Sequence, residues 1–201
     1  INTQTGILAD SQMRRAVQAA LDMDSIMAAG YGNPRFWELD GAYFAEGIRW
    51  RSLAGADAYD QADPEKAMEM AEEAGYDGEP IDLIVAIDMT AQYNQSLVVR
   101  NQLRNAGFNA KLETFDKPTF FQRRNDRENA QWELAFSFYS TTPDPSLVLM
   151  LNEDYPGWWD TPEIENLKAN LNTTTDFEDR YGRWEQIREL WYEQVPAIKF
   201  G

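Results

Sequence analysis

The sequence contains no cysteine and no histidine. The first absence excludes disulfide frameworks, thiolate metal sites and cysteine nucleophiles together. The second excludes histidine-based triads, HExxH zinc sites and imidazole proton shuttles, so any acid–base chemistry falls to carboxylates. Positive charge is scarce: 18 Lys and Arg stand against 34 Asp and Glu, a formal net charge of −16. That sign is wrong for a phosphate backbone or an anionic membrane, and no nucleic acid partner is expected. The acidity is compatible with a salty or extracytoplasmic setting.

No apolar run approaches the ~20 residues of a membrane-spanning helix. The longest, Ile81 to Ile87 with Asp82 inside it, is strand-sized. The opening INTQTGILAD is neither basic nor followed by an apolar stretch, so no signal peptide is read, and both ends read as cuts through a longer protein. No G-x-S-x-G, P-loop or G-x-G-x-x-G pattern occurs, and Gly30-Tyr31-Gly32 has no strand before it. A phosphate-cofactor enzyme is therefore unsupported, and no cofactor is expected.

Aromatic residues are plentiful: 7 Trp, 9 Tyr and 10 Phe in 201 residues, enough to bury a core in one large domain or two small ones. Asp10 is placed to cap a helix carrying Met13, Val17, Ala20 and Leu21, with Arg14, Arg15 and Gln18 outward, and a short turn from Asp24 ends at Gly30. Residues 30–62 read as a long ordered loop rich in aromatics. Asp63-Pro64-Glu65 starts a helix that Gly75 ends. Ile81 to Ile87 then reads as an interior strand, Ala91 to Ala106 as a helix stopped by Gly107, and Phe108 to Glu113 as a half-buried strand.

Beyond these come a short helix near Asp116-Lys117-Pro118, a strand Trp132 to Phe138, and a helix from Asp144-Pro145 to about Leu151. Helices from Thr161 and Asp176 follow, the second with Tyr181, Trp184, Ile187 and Trp191 inward, and Val195 to Phe200 reads as a last strand. The alternation predicts an α/β fold, a mixed sheet flanked by helices.

With so many carboxylates, pairs such as Glu72-Glu73 and Glu153-Asp154 arise by chance and read as solvated surface. Asp22, Asp24, Asp57, Asp60 and Asp63 carry calcium-type oxygens, but none matches the D-x-[DN]-x-[DN]-G loop, and no metal site is predicted. Arg123-Arg124 reads as solvated on a polar helix end. Tyr93 and Trp158-Trp159 stand in loops or at helix starts, where helical periodicity does not account for an aromatic. They serve either loop packing or as a wall for a ligand.

Six segments in order, MRRAVQAALDMDSIM, DPEKAMEMAEEAGYDGEPIDLIV, LVVRNQLRNAGFNAKLETFD, WELAFSFYSTTPDPS, YPGWWDTPEI and YEQVPAIKFG, resemble the C-terminal half of family 5 of the bacterial extracellular solute-binding proteins. These are the peptide/nickel-class receptors of ABC importers. The resemblance spans essentially the whole chain. It implies a type II periplasmic-binding-protein-like lobe: residues 1–201 as a single C-terminal α/β lobe, with the N-terminal lobe and the extreme C-terminus lying outside the sequence.

It also implies a periplasmic or extracytoplasmic, monomeric receptor that is not an enzyme. Its partners are a small-molecule or oligopeptide solute and membrane permease subunits. The strand-end loops Asp88 to Asn94, Tyr139 to Asp144 and Tyr155 to Trp159 are expected to face the solute, as in open α/β sheets. Tyr93, Tyr139, Thr141 and Trp158 are the expected ligand-facing residues. Thr141 falls where peptide-binding members place an acid for the peptide amino group. Tyr93 or Asn94 falls where dipeptide binders place an arginine for the carboxylate. Both departures point away from a strict dipeptide receptor, as the missing histidines point away from His-ligated nickel. Competing readings are a carboxylate-dependent glycoside-active enzyme with an aromatic cleft and a chaperone-like domain that grips peptide segments.

Overall fold

The computed structural model describes residues 1–201. Three strands, β1 (Pro80–Ala86), β2 (Asn109–Phe115) and β3 (Leu134–Ala135), form one sheet in the order β2-β1-β3. All three are parallel, so the mixed sheet expected above is, within this chain, a parallel one; Leu83 sits opposite Leu112 on one side and Leu134 on the other. The central strand β1 is apolar except for Asp82 near its start because it is covered twice. Ile81, Leu83 and Val85 enter one core, and Ile84 and Ala86 enter another on the opposite face.

The larger core lies under α1 (Ser11–Ala19), α2 (Met23–Tyr31), α3 (Pro64–Glu73) and α4 (Thr90–Ala106). The opposite face is covered by Phe120 of α5 (Lys117–Asn125) together with Trp132 and Trp158. A third cluster joins α6 (Pro162–Thr173) and α7 (Phe177–Gln194) to Phe44, Trp50 and Trp159. Part of the acid excess is spent on helix starts. Asp10, Asp22, Asp63, Asp116 and Asp176 each accept a backbone N–H in the first turn of the helix that follows.

The structure corrects several expectations. Helix α2 does not stop at Gly30 but runs to Tyr31, with Gly32 as its cap. Gly30 is inside the helix because α4 comes close: a Cβ there would lie 2.9 Å from Gln95 Cγ. Arg14 and Gln18 are buried rather than outward. Arg14 Nε donates to Gln194 O at 2.6 Å and Nη1 to Leu8 O and Ala9 O, tying α1 to the end of α7, and burial lowers its pKa to about 10. The strand expected over Trp132 to Phe138 pairs regularly only at Leu134–Ala135, flanked by single bonds from Glu133 N to Asp82 O and Phe136 N to Ile84 O.

The helix expected from Asp144 is two 3-10 turns, Pro145–Leu147 and Leu149–Leu151, because Val148 between them is extended. The final segment is not a strand. Val195 adopts φ 46° and its N–H closes α7 on Trp191 O, which turns the chain out of helical line. It then lies as a strap, held by Trp191 Nε1 on Ala197 O at 2.9 Å and by the Tyr59 hydroxyl on Phe200 O.

Candidate functional site

A cavity of about 380 Å³ opens beyond the carboxyl ends of the parallel strands. One wall is the chain leaving β3, Phe136 to Thr141; a second is Met27 and Tyr31 of α2 with Gln92, Gln95 and Val99 of α4. The loop carrying Glu38, Asp40 and Tyr43 and the strap Ala197–Gly201 close the remainder. The location is where open α/β sheets place ligands, since crossover helices leave the strand ends uncovered there. The volume is that of a small-molecule pocket.

The strap and the loop are fixed to one another. Lys199 Nζ donates to Asp40 O at 2.7 Å, and burial pushes the Lys199 amine below its ordinary pKa. Asp40 Oδ1 accepts from Ala42 N at 2.8 Å and from Arg51 Nη2 at 3.1 Å. Gly41 O receives two donors from α7, Arg188 Nη2 at 2.8 Å and the Tyr192 hydroxyl at 2.7 Å. Arg188 has no carboxylate partner; it lies 5.2 Å from the Trp191 ring and 5.1 Å from that of Tyr192, and burial lowers its pKa. Arg188→Met or Tyr192→Phe alone leaves Gly41 O one donor and should cost about 1 kcal/mol. The double variant leaves a buried carbonyl orphaned, so urea unfolding should give a loss exceeding the sum of the singles by about 1 kcal/mol. Strict additivity would show that the clamp on this loop is not shared.

On the other wall, Asp144 anchors the loop that follows Thr141. Arg180 grips it with both terminal nitrogens, Nη2 to Oδ1 at 2.6 Å, and Ser146 N and Oγ add bonds to Oδ1. Burial opposes ionisation, but these bonds outweigh it and hold the Asp144 pKa at about 2. Asp144 thus caps the following turn, as the Asp-Pro pair implied, and also ties the cavity wall to α7.

Of the four residues expected to face a ligand, Tyr139 and Thr141 line the cavity together. The Tyr139 ring is 40% exposed while its hydroxyl turns inward, donating to Met150 Sδ at 3.2 Å, and burial of that end raises its pKa well above the ordinary value. Tyr93 does not reach the cavity; half-buried on α4, it packs against the larger core. Trp158 is not brought there either. It is 2% exposed, 5.7 Å from the Trp132 ring, with φ 51° and its carbonyl accepting from Thr3 Oγ1 and Gln4 Nε2. The amino-terminal segment pins this loop, so both tryptophans turn inward; Trp159 Nε1 donates to Gln194 Oε1.

Arg124, expected in solvent, is buried beside Phe121 and Tyr155, at 4.8 Å and 5.5 Å, and donates to Ser137 Oγ. Sequence reasoning missed Gln92 and Gln95. They are spaced i, i+3 on α4 and read as ordinary polar helix surface, yet they are 8% and 4% exposed and line the cavity. No three acids converge to hold a metal ion. The cavity's two acids, Glu38 and Asp40, share one loop, and Asp40 is engaged with Arg51, so this cavity's own lining does not set two carboxylates on opposite walls, the arrangement of glycoside hydrolysis.

Comparison with known proteins accords with this geometry. The family model described as bacterial extracellular solute-binding proteins, family 5, middle region, matches residues 1–158. A probable peptide ABC transporter periplasmic-binding protein of Sinorhizobium fredii is 29% identical over 94% of this chain and 37% of its own length. Among solved structures, the ABC transporter substrate-binding protein CtaP of Listeria monocytogenes superposes with a TM-score of 0.87 at 22% identity, over 96% of this chain and 40% of that one. The oligopeptide-binding protein AppA of Bacillus subtilis, solved in complex with a nonapeptide, gives 0.79 at 18% identity, over 97% of this chain and 42% of that one. The chain therefore spans about two fifths of the length of these relatives. It belongs to family 5 of the bacterial extracellular solute-binding proteins.

Proposed function

We propose that this chain is the C-terminal lobe of a two-lobe receptor, the substrate-binding component of an ABC importer, and that it captures a peptide-like or other small polar solute. The observation that carries the reading is the cavity at the carboxyl ends of the strands, lined by Tyr139 and Thr141 and open at an aromatic rim of Tyr31 and Phe138. A solute seated there touches this lobe on one side. In the full protein the second lobe closes over the other side, so the solute shifts the open–closed population, and the closed shape is what the permease subunits recognise. The names of the relatives, peptide-binding and periplasmic, support the solute class and an extracytoplasmic setting. The receptor acts as a monomer and makes no covalent change in its cargo.

Native mass spectrometry of the full-length protein, purified without denaturation, tests this. A co-purifying adduct of peptide mass, displaced by added peptide, is expected. An adduct of sugar mass would move the solute class. A ligand-free protein that binds neither peptides nor sugars in calorimetry would overturn the receptor reading.

A further inference from the structure

The cavity pairs an apolar interior with two largely buried glutamines whose amides find little or nothing to bond within the chain. Phe136, Leu134, Val99, Met27 and Leu21 supply the interior. Gln92, although 8% exposed, has no hydrogen-bond partner within the chain, and the only partner of Gln95 is the Met27 thioether, 3.5 Å from Nε2. Neither amide is sealed from solvent: their polar ends open onto the cavity, where a ligand donor or acceptor can replace water. Both side chains stand one turn apart on the same face of α4, so they offer two donor–acceptor groups along one line.

The charges around them are already committed or carry the wrong sign for an anion. The lining cation, Lys199, is bonded to Asp40 O; Asp40 is bonded to Arg51; Glu38 stands exposed at the edge. A carboxylate entering this space would lose its hydration, find no free cation and face two acids.

We infer that this lobe selects a neutral, apolar side chain of a bound peptide, with Gln92 and Gln95 hydrogen-bonding the peptide groups on either side of it, and that it discriminates against acidic side chains. The inference rests on the receptor reading above and names the substrate class of the same cavity. Aliphatic and aromatic residues fill the interior, and the rim aromatics Tyr31 and Phe138 cover them. The two glutamines bond amides without regard to sequence, because every peptide unit offers one N–H and one C=O.

The test uses the full-length receptor and five pentapeptides, Ala-Ala-X-Ala-Ala, with X as Leu, Phe, Gln, Lys or Glu, titrated by calorimetry. The Leu and Phe peptides should bind at least tenfold more tightly than the Glu peptide. Gln92→Ala should weaken the Leu peptide about five- to tenfold, with an unchanged melting temperature showing that the lobe still folds. Gln92→Glu, nearly isosteric, should depress the Glu peptide further while improving the Lys peptide relative to Leu. Equal affinity for all five peptides, or preference for Glu, overturns the inference and leaves the peptide-receptor reading standing. Binding of none of the five, with sugar binding instead, removes both.

Discussion

Trp184→Ala is expected to lower stability by about 4 kcal/mol, the cost of a large cavity in a packed core. The side chain is fully buried at the centre of the helical cluster, with Phe44 and Tyr43 rings at 5.4 Å and 6.0 Å. Its Nε1 donates to Trp50 O at 2.8 Å, so truncation also strips a buried carbonyl of its donor. In a chain of this size the loss corresponds to a fall in melting temperature of about 10 °C. Trp184→Phe separates the two contributions: it keeps most of the ring and removes the donor, and should cost about 2 kcal/mol. Thermal and urea unfolding of both variants measures this, and equal losses would mean that the hydrogen bond, not the ring volume, holds the cluster.

The second large effect is a pH dependence set by Glu133. This carboxyl is buried at the strand beside β1, where its two oxygens accept from Ile7 N and Leu8 N, each at 3.0 Å, and anchor the amino-terminal segment. Gly6 admits it: a Cβ there would lie 1.7 Å from Glu133 Oε1 and would displace the carboxylate, and the φ of 72° strains any residue with a side chain. Desolvation raises the pKa to about 7 and outweighs the two N–H groups, and Asp82 raises it further. In the unfolded chain the same group titrates near 4.5.

Between these two values the native state holds a proton that the unfolded state has lost, so stability falls as pH rises from about 4.5 to 7 and levels above that. The full drop is of the order of 3 kcal/mol. Glu133→Gln removes the titration. Its amide nitrogen faces a backbone donor, so the variant should be less stable at pH 5 than the native protein yet lack its decline toward pH 8. Urea midpoints at pH 5, 6, 7 and 8 check this, and an identical slope in the variant would assign the pH dependence to other groups.

Much of the architecture is legible along the chain because its signals are local. Asp-Pro-Glu at 63–65 and Thr-Pro-Glu at 161–163 start helices where the structure starts them, since a side-chain cap and a proline at the first turn need no distant partner. The interior strand Ile81 to Ala86 declares itself by being apolar on both faces. The same local reading fails at Val195 to Phe200. An apolar alternating segment has no ladder partner there, and Val195 turns it aside into a strap.

For the site, the sequence by itself determined that no cysteine or histidine chemistry operates and that the strand-end loop with Tyr139 and Thr141 belongs to the cavity region. It also carried the six segments that mark the family. Only the tertiary structure decided which aromatics face inward. Trp158 and Tyr93 stand at positions that look free from the chain alone, and they are consumed by packing against Trp132 and the larger core. Conversely, Gln92 and Gln95 look like solvated helix surface until α2, closing on α4 over Gly30, buries them beside the cavity. Periodicity specifies which residues share a face of a helix. What covers that face is set by elements far away in sequence, and that covering decides whether a polar side chain meets water or a ligand.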